Sequence, residues 1–409
     1  MEKIIIIGAG ASGLTAAINA KTSNNEVLII EKNNQAGKKI LITGNGKCNY
    51  LNETFEINNY KSNNKEILEK IINKDNKQRI ITFFDKLGIM PKIRNGYYYP
   101  ASNQAITIRE SLVKECNINN IEIKYEEEVT DINYINNKYK ITTKNNNYEC
   151  DKLIISTGGM AAPNTGSDGF GYKILKEFNH TIIKPLPALT PLKCENNLKE
   201  LKGVRTDAIL NLYENNKYIE SSRGELQINE KEISGICTFQ ISGRAIRSIN
   251  NNNKISVHIN FLPSLEINNN EELINYIEKR NEKLEKRTIS ELLDGLLNYK
   301  IVNFLLKTNK INKDSKWNEL KTIEKSNLVN SLINYEIKII NENSFDKAQV
   351  TSGGIPLNEI NINTMESLKQ KNLYIIGELL DVDGDCGGYN LGFAWLSGII
   401  AGNEVKKDN

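Results

Sequence analysis

The chain of 409 residues is long enough for two or three domains, each with its own core. Its 39% hydrophobic and 25% charged residues are ordinary for a globular protein. With 53 basic and 50 acidic side chains the net charge is only +3, which gives no warrant for a nucleic-acid partner, since that calls for a concentrated basic face.

The six cysteines are scattered without a CxxC pair, and His180 and His258 are the only histidines, so no metal site is expected. The opening "MEKIIIIGAG" runs directly into a strand and leaves no room for a signal peptide. No apolar run approaches the roughly 18 residues of a membrane span. No membrane partner is expected; the expected compartment is the cytoplasm, where the thiols stay reduced.

The first element pattern is strand, glycine-rich turn, helix. Ile4 to Ile7 form a β-branched run suited to a strand buried on both faces of a parallel sheet. Gly8, Gly10 and Gly13 then give G-x-G-x-x-G: a tight turn, a close backbone approach to pyrophosphate, and close packing of helix on strand. The helix start offers free N–H groups to phosphate. The next strand, "EVLIIEK", ends in Glu31, at the position of a ribose-binding carboxylate that would repel a 2′-phosphate. The ligand read from this turn is FAD or NAD, not NADP.

A three-stranded ribbon is expected over 121–150, from "IEIKYEEEVTDI", "KYKITT" and "NYECDKLI". The buried strand "KLIISTGGM" then closes on Thr157, Gly158 and Gly159, a turn able to pass the dinucleotide closely. From about 191 the texture changes. A hairpin turning at "ENNK" and the strand "KISVHINFLP" precede helical spacing over 271–335, where Thr288 and Glu291 form a capping-box signature. The domain reading is therefore 1–190 and 345–409 as one dinucleotide-binding domain. Residues 191–344 are an inserted substrate module, β-rich over 191–265 and about 336–344 and helical over 266–335.

The C-terminal "KNLYIIGELLDVDGDCGGYNLGFAWLSGIIAG" gives a strand, a glycine–acid turn, a glycine-rich loop and an apolar helix. A helix N-terminus stabilises an anion, and reduced flavin is negative near N1. This second site favours FAD over NAD. Asp381, Asp383 and Asp385 read as loop-capping residues rather than metal ligands, and His180 as structural.

The stretches "GKKILITGNGKCNYLN", "ISTGGMAAPNTGSDGFGYKI", "PLPALTPL", "ISGICTFQISGRAI", "VTSGGIPLNEININTMESL" and "GELLDVDGDCGGYNLGFAWLSGIIAG" occur in that order. Together they resemble a bacterial family of NAD(P)/FAD-dependent oxidoreductases whose members include a bile-acid-pathway flavoprotein and an aminoacetone oxidase. The resemblance covers nearly the whole chain and is weakest across 265–340. It implies an α/β fold: a discontinuous glutathione-reductase-like FAD-binding Rossmann domain with an inserted β-barrel-like and helical substrate module.

Carried over position by position, the resemblance puts FAD contacts at Gly8, Gly10, Ala11, Ser12, Gly13, Glu31 and Lys32. It adds Lys39, Thr43, Gly44, Gly46, Lys47, Cys48 and Asn49, with Val129 near adenine. Thr157, Gly158 and Gly159 pass the dinucleotide, and Gly377, Glu378, Gly388, Tyr389, Asn390 and Leu391 close the flavin end. Two positions depart from the family pattern. Lys47 stands where the family commonly has Arg, replacing a planar fork by a point charge. Tyr97 stands where an Arg often precedes the aromatic residue, which puts a substrate anion held at that position in doubt.

The implied chemistry is hydride transfer through flavin N5 to or from a small molecule such as an enone or ketone, with NADH or NADPH as a transient donor. Candidate catalytic residues are Cys48, Cys386, Tyr99 and Tyr389, with Tyr97 and Tyr98 beside them. The cysteines also fit as small packing residues rather than a redox pair, and the tyrosines as packing. Three other classes remain open: an amine oxidase releasing peroxide, a flavin-dependent RNA-modifying protein, and a non-catalytic FAD-binding protein. The sequence fixes neither the substrate nor the oligomeric state.

Overall fold

The computed structural model describes residues 1–267, 269–340 and 344–407. These form two compact units, Met1–Pro187 with Phe345–Asn409, and Ala188–Ser344.

The first unit is built on a seven-stranded sheet. Its five parallel strands run in the spatial order Leu373–Ile375, Lys152–Ile155, Glu2–Ile7, Asn25–Ile30, Glu122–Lys124, and two short antiparallel strands, Glu366–Ser367 and Ile360–Asn361, extend one edge. Ile4, Ile5 and Ile6 are fully buried, because a central parallel strand covered on both faces has no solvent face. Burying each such side chain contributes about 2 kcal/mol. The strand order reverses between Glu2–Ile7 and Lys152–Ile155, so the crevice beyond Ile7 and Ile155 is the topological switch point, where ligands of such sheets bind.

The expected ribbon over 121–150 differs at both ends. Glu122–Lys124 joins the main sheet beside Leu28–Ile30, and Glu126, at a left-handed φ of 56°, breaks the chain before Val129–Ile135 begins. At the far end Asn147–Cys150 belongs to the ribbon while Lys152–Ile155 belongs to the sheet; the Asp151 N–H crosses to the Lys3 carbonyl at 2.9 Å. The strand-like stretches on either side of Glu126–Glu128 and of Asp151 read alike in sequence, which hid both changes of sheet.

The C-terminal helix Tyr389–Val405 packs on the first helix, Ala11–Ala20, at very short range. A Cβ on Gly398 would lie 2.6 Å from the Ser12 carbonyl oxygen, and one on Gly402 2.5 Å from that of Ala16.

In the second unit six strands form an antiparallel sheet. The hairpin Arg205–Glu214 and Lys217–Ile228 turns at Asn215 and Asn216, both at positive φ, as a two-residue turn between twisted strands requires. A bridge from Cys194 to Ile339 joins the two edges of the sheet, giving it a barrel-like closure. Four helices between Asn270 and Ile333 supply the helical part, and Thr288 and Glu291 form the expected capping box. The last strand is Tyr335–Ile339; its expected continuation over 341–343 lies outside the described residues.

Candidate functional site

At the switch point Gly8 has φ 103°, and a Cβ there would lie 2.8 Å from the Ser156 carbonyl oxygen. Gly13 leaves still less room: its Cβ would lie 2.0 Å from the Gly8 carbonyl oxygen. A Cβ on Gly10, by contrast, would meet nothing within 4 Å, so this glycine borders open space. The helix that follows has neither a side-chain cap nor an acid in its first turn, which leaves its positive end available to an anion. Ser156 locks the crevice by donating to the carbonyls of Ile7 and Gly8, both at 2.9 Å.

Glu31 is buried beside this turn. It accepts from the Ala9 N–H at 2.7 Å and from the backbone and side-chain amides of Asn33 at 2.8 and 2.6 Å. A carboxylate offers about four lone-pair sites, so one stays open for a ribose hydroxyl. Lys32 reaches away to Asp168 at 2.6 Å. Val129 is buried at the start of its strand, opposite Thr143.

Lys39 and Glu378, 339 positions apart, pair at 2.7 Å. The remaining oxygen of Glu378 accepts from the Thr351 N–H at 2.7 Å. The Thr351 hydroxyl in turn accepts from the N–H groups of Met160 and Ala161 at 2.8 and 3.0 Å. The loop after Lys152–Ile155, the glycine–acid turn and the "GKK" segment are thereby fixed to one another. Gly159 packs against Thr351 and Glu378, and Gly377 against Ser12. Thr351 was missed by sequence reasoning as a site residue, although it opens the quoted "VTSGG" stretch from its second position.

The "TGNGKCN" loop meets the C-terminal loop as a clamp. Asn52 donates to the Gly387 carbonyl at 2.8 Å across 335 positions, and the Trp395 indole N–H donates to the Tyr50 carbonyl at 3.0 Å. A Cβ on Gly388 would lie 2.8 Å from Asn49 Oδ1. Asn390 exchanges a reciprocal pair of 2.8 Å hydrogen bonds with the backbone of Gly384, so it braces the loop, while Leu391 is half-buried against the core. The Thr43 hydroxyl donates to the Ile40 carbonyl at 2.7 Å, and the Thr43 carbonyl accepts from the Cys48 N–H at 3.0 Å. Gly44, Gly46 and Lys47 are exposed.

Neither clamp cysteine is in a disulfide. Burial pushes the Cys48 thiol up to about 12 and the Cys386 thiol up to about 11, so both are protonated and poorly nucleophilic near neutrality. Tyr389 is buried and its hydroxyl lies 2.5 Å from that of Thr54. Tyr98 is buried against Tyr50 with ring centroids 6.0 Å apart. Tyr97 and Tyr99 are half-buried, and among the described residues neither hydroxyl has a hydrogen-bond partner. Burial raises the Tyr99 phenol, as do Tyr97 and Cys386, against an opposing pull from Arg94.

His180 lies apart from the site, with Nδ1 2.8 Å from Glu359 and Nε2 2.8 Å from Ser367. Asp381 accepts from the Asn63 N–H, Asp383 from Ser352, and Asp385 pairs with Lys61 at 3.6 Å, in keeping with a loop-capping role. Among the described residues no cluster of three or more His, Cys, Asp or Glu is arranged to hold a metal ion. No helix among them is long and apolar enough to cross a membrane.

This arrangement has known counterparts. The family model described as HI0933-like protein Rossmann domain matches residues 2–404. The chain belongs to that family. It is 34% identical over 410 aligned positions to the 3-dehydro-bile acid delta(4,6)-reductase of Clostridium scindens, covering 100% of each chain. It is 28% identical to the ribosomal RNA dihydrouridine synthase of Escherichia coli, over 96% of this chain and 95% of that one, and 29% identical to that of Haemophilus influenzae, over 98% of each. Among solved structures, a 3-ketosteroid-delta4-(5alpha)-dehydrogenase from Rhodococcus jostii RHA1 is similar in fold, with a TM-score of 0.51 at 12% identity, over 100% of this chain and 97% of that one. The chain is an FAD-dependent oxidoreductase.

The residues of this HI0933-like protein fit that cofactor. Gly10 borders open space under an uncapped helix end, suited to pyrophosphate, and Glu31 retains an acceptor site for ribose. Asn49 Oδ1 and Thr157 Oγ1 are buried without a hydrogen-bond partner among the described residues, as expected of groups that await a polar ligand.

Proposed function

We propose that the enzyme reduces a carbon–carbon double bond conjugated to a carbonyl in a small, largely apolar molecule, with electrons from NADH or NADPH. The observation that carries this reading is the relationship along the full chain to a protein named as a 3-dehydro-bile acid delta(4,6)-reductase. FAD, when bound, supplies the hydride from N5. What the chain's own residues supply is binding, orientation and a proton.

Saturating a conjugated double bond takes a proton at the carbon next to the carbonyl as well as a hydride at the far carbon. We assign that proton to Tyr99, whose ring borders the Gly44 loop (a Cβ on Gly44 would lie 3.6 Å from its Cε1) and whose hydroxyl is not committed elsewhere among the described residues. Tyr389, whose hydroxyl is engaged by Thr54, is a positioning residue. Asn49 and Thr157 orient the cofactor through their unpaired oxygens, and Lys39 with Glu378 holds the surrounding loops in register. No second G-x-G-x-x-G occurs in the chain, so the nicotinamide docks transiently.

The test is an anaerobic titration of the FAD-loaded protein. NADH or NADPH should bleach the flavin, and a 3-oxo-Δ4,6 steroid acid should restore its colour while gaining two hydrogens. Reduction of the flavin by an amine alone, with peroxide formed in air, would instead identify an oxidase.

A second reading is favoured by the two relatives named as ribosomal RNA dihydrouridine synthases. Forming dihydrouridine also saturates a double bond conjugated to a carbonyl, in uracil. The balance of 53 basic to 50 acidic residues favours the small molecule. Conversion of uridine in an unmodified ribosomal RNA fragment, with no turnover of the steroid acid, would reverse the preference.

A further inference from the structure

The hairpin Pro91–Arg94 and Tyr97–Pro100 turns at Asn95 and Gly96, both left-handed, and pairs Lys92 with Tyr99 and Arg94 with Tyr97. Residues directly opposite in an antiparallel pair share a face, and neighbours along a strand alternate. Lys92, Arg94, Tyr97 and Tyr99 therefore stand on one face of the hairpin, while Ile93 and Tyr98 stand on the other.

The first face borders the candidate site. A Cβ on Gly387 would lie 2.8 Å from Tyr97 Cε1, and one on Gly44 3.6 Å from Tyr99 Cε1. Arg94 is close enough for its charge to act on Tyr99, and Lys47 is exposed in the same loop as Gly44. The strand Pro91–Arg94 is exposed along its whole length.

These cations differ from the others around the site. Lys32 and Lys39 are each neutralised by a carboxylate, at 2.6 and 2.7 Å. Among the described residues Lys47, Lys92 and Arg94 make no ion pair. Of the nearby carboxylates, Glu53 acts on Tyr98, on the opposite face, and Asp385 is held by Lys61 at 3.6 Å. The face thus combines two phenol rings, able to cover an apolar skeleton, with positive charges lacking a counter-charge.

We propose that Lys92 and Arg94, with Lys47, form an anion subsite that holds a carboxylate of the substrate remote from the double bond, and so selects acidic over neutral unsaturated ketones. The proposal rests on the reduction of a small conjugated ketone proposed above. Charge-assisted hydrogen bonds of this kind change affinity by about tenfold or more.

The probes are a saturated 3-oxo steroid carboxylate and its methyl ester, each titrated against the FAD-loaded full chain and followed by the flavin absorbance spectrum. The same pair with the double bond in place is followed by turnover. The wild-type protein should bind the acid about tenfold more tightly than the ester at low salt, with the preference shrinking as salt rises. In K92Q/R94Q that ratio should fall towards unity, and R94K should restore only part of it, because an ammonium lacks the planar fork. Should the double variant not fold, the single variants K92Q and R94Q provide the same ratio.

Equal binding of acid and ester by the wild-type protein, or an unchanged ratio in the variants, overturns the subsite. If neither unsaturated ketone is turned over while the acid still binds preferentially, the activity reading fails and the subsite stands. If the substitutions weaken binding of a ribosomal RNA fragment but leave the acid-to-ester ratio intact, the cations serve a polynucleotide and the proposal falls.

Discussion

The turn Gly8–Gly13 and the loop Thr43–Asn49 are both rich in glycine, but for different reasons. In the turn the need is steric and local: a Cβ on Gly13 would run into the Gly8 carbonyl within the same few residues. In the loop the space differs by position: a Cβ on Gly46 would find only the Leu41 carbonyl, 3.9 Å away, while one on Gly44 would lie 3.0 Å from the Asn49 nitrogen, and the backbone is left-handed at Gly44, Asn45, Gly46 and Cys48. A non-glycine residue held there costs about 1–2 kcal/mol, which surrounding contacts must offset. Those contacts come from the far end of the chain, through Asn52 to Gly387 and Trp395 to Tyr50. The turn combines a collision within its own sequence at Gly13 with the close approach of Ser156 to Gly8; the loop is held by partners from the far end of the chain.

The largest expected effects separate the glycines of the turn. Gly13→Ala should destabilise the unit by about 3 kcal/mol or more through backbone collision, seen as a large fall in Tm with loss of bound flavin. Gly10→Ala should leave the Tm of the cofactor-free protein nearly unchanged while weakening FAD at least about tenfold, because its Cβ enters open space meant for ligand. Equal loss of stability in both variants would break the distinction.

Next come the tyrosines of the clamp. Tyr99→Phe should lower kcat about 100-fold with FAD affinity retained, the scale of losing a general acid. Tyr389→Phe should instead cost about 1 kcal/mol of stability by removing the contact with Thr54. A kcat loss confined to Tyr389→Phe would exchange their roles.

The partner-held character of the loop is tested by Asn52→Ala. It removes a buried amide that serves both Gly387 and Thr54, and should cost about 2 kcal/mol and speed proteolysis near residues 43–52.

A smaller, pH-dependent effect should come from Glu359, away from both regions. Burial pushes its carboxyl up, but hydrogen bonds from Lys369, Thr181 and His180 outweigh this and hold it at about 2, below its ordinary 4.5. A carboxyl depressed in the folded state stabilises it above the unfolded value, and that stability is lost as pH falls through the folded value. Melting curves should therefore show a loss between pH 4.5 and 2 that is reduced in Glu359→Gln. The smallest perturbation is thiol labelling: all six thiols should react after unfolding, and Cys48 only slowly before it. Fewer than six would reveal a disulfide.

How far the sequence could be read depends on the range of the interactions. Gly8, Gly13 and Glu31 were identified because turn, helix and second strand are consecutive, so their spacing is fixed within one short stretch, even though Gly8 also clears the distant Ser156. The hairpin turn at Asn215–Asn216 and the Thr288–Glu291 capping box were found for the same reason. The sheet change at Glu126 and Asp151 was not, because alternation says which side chains are buried but not against which neighbour strand. Thr351 escaped notice because a hydroxyl that accepts from two distant N–H groups has no sequence spacing. The face formed by Lys92, Arg94, Tyr97 and Tyr99 had a signal, the Asn-Gly turn inside "PKIRNGYYYP", which sets the register.

By itself, the sequence determined a dinucleotide fold with its phosphate turn, and motifs at both ends that mark a flavoprotein family. The fold and its turn are dictated by steric limits on neighbouring residues and by periodicity; the family is marked by the resemblance of the motifs. Only the tertiary structure decided that Lys39 pairs with Glu378, that both clamp thiols are protonated by burial, and that Tyr99 rather than Tyr389 keeps an uncommitted hydroxyl among the described residues. Each of these depends on desolvation or on a partner hundreds of positions away, and such terms exist only once the chain has closed on itself.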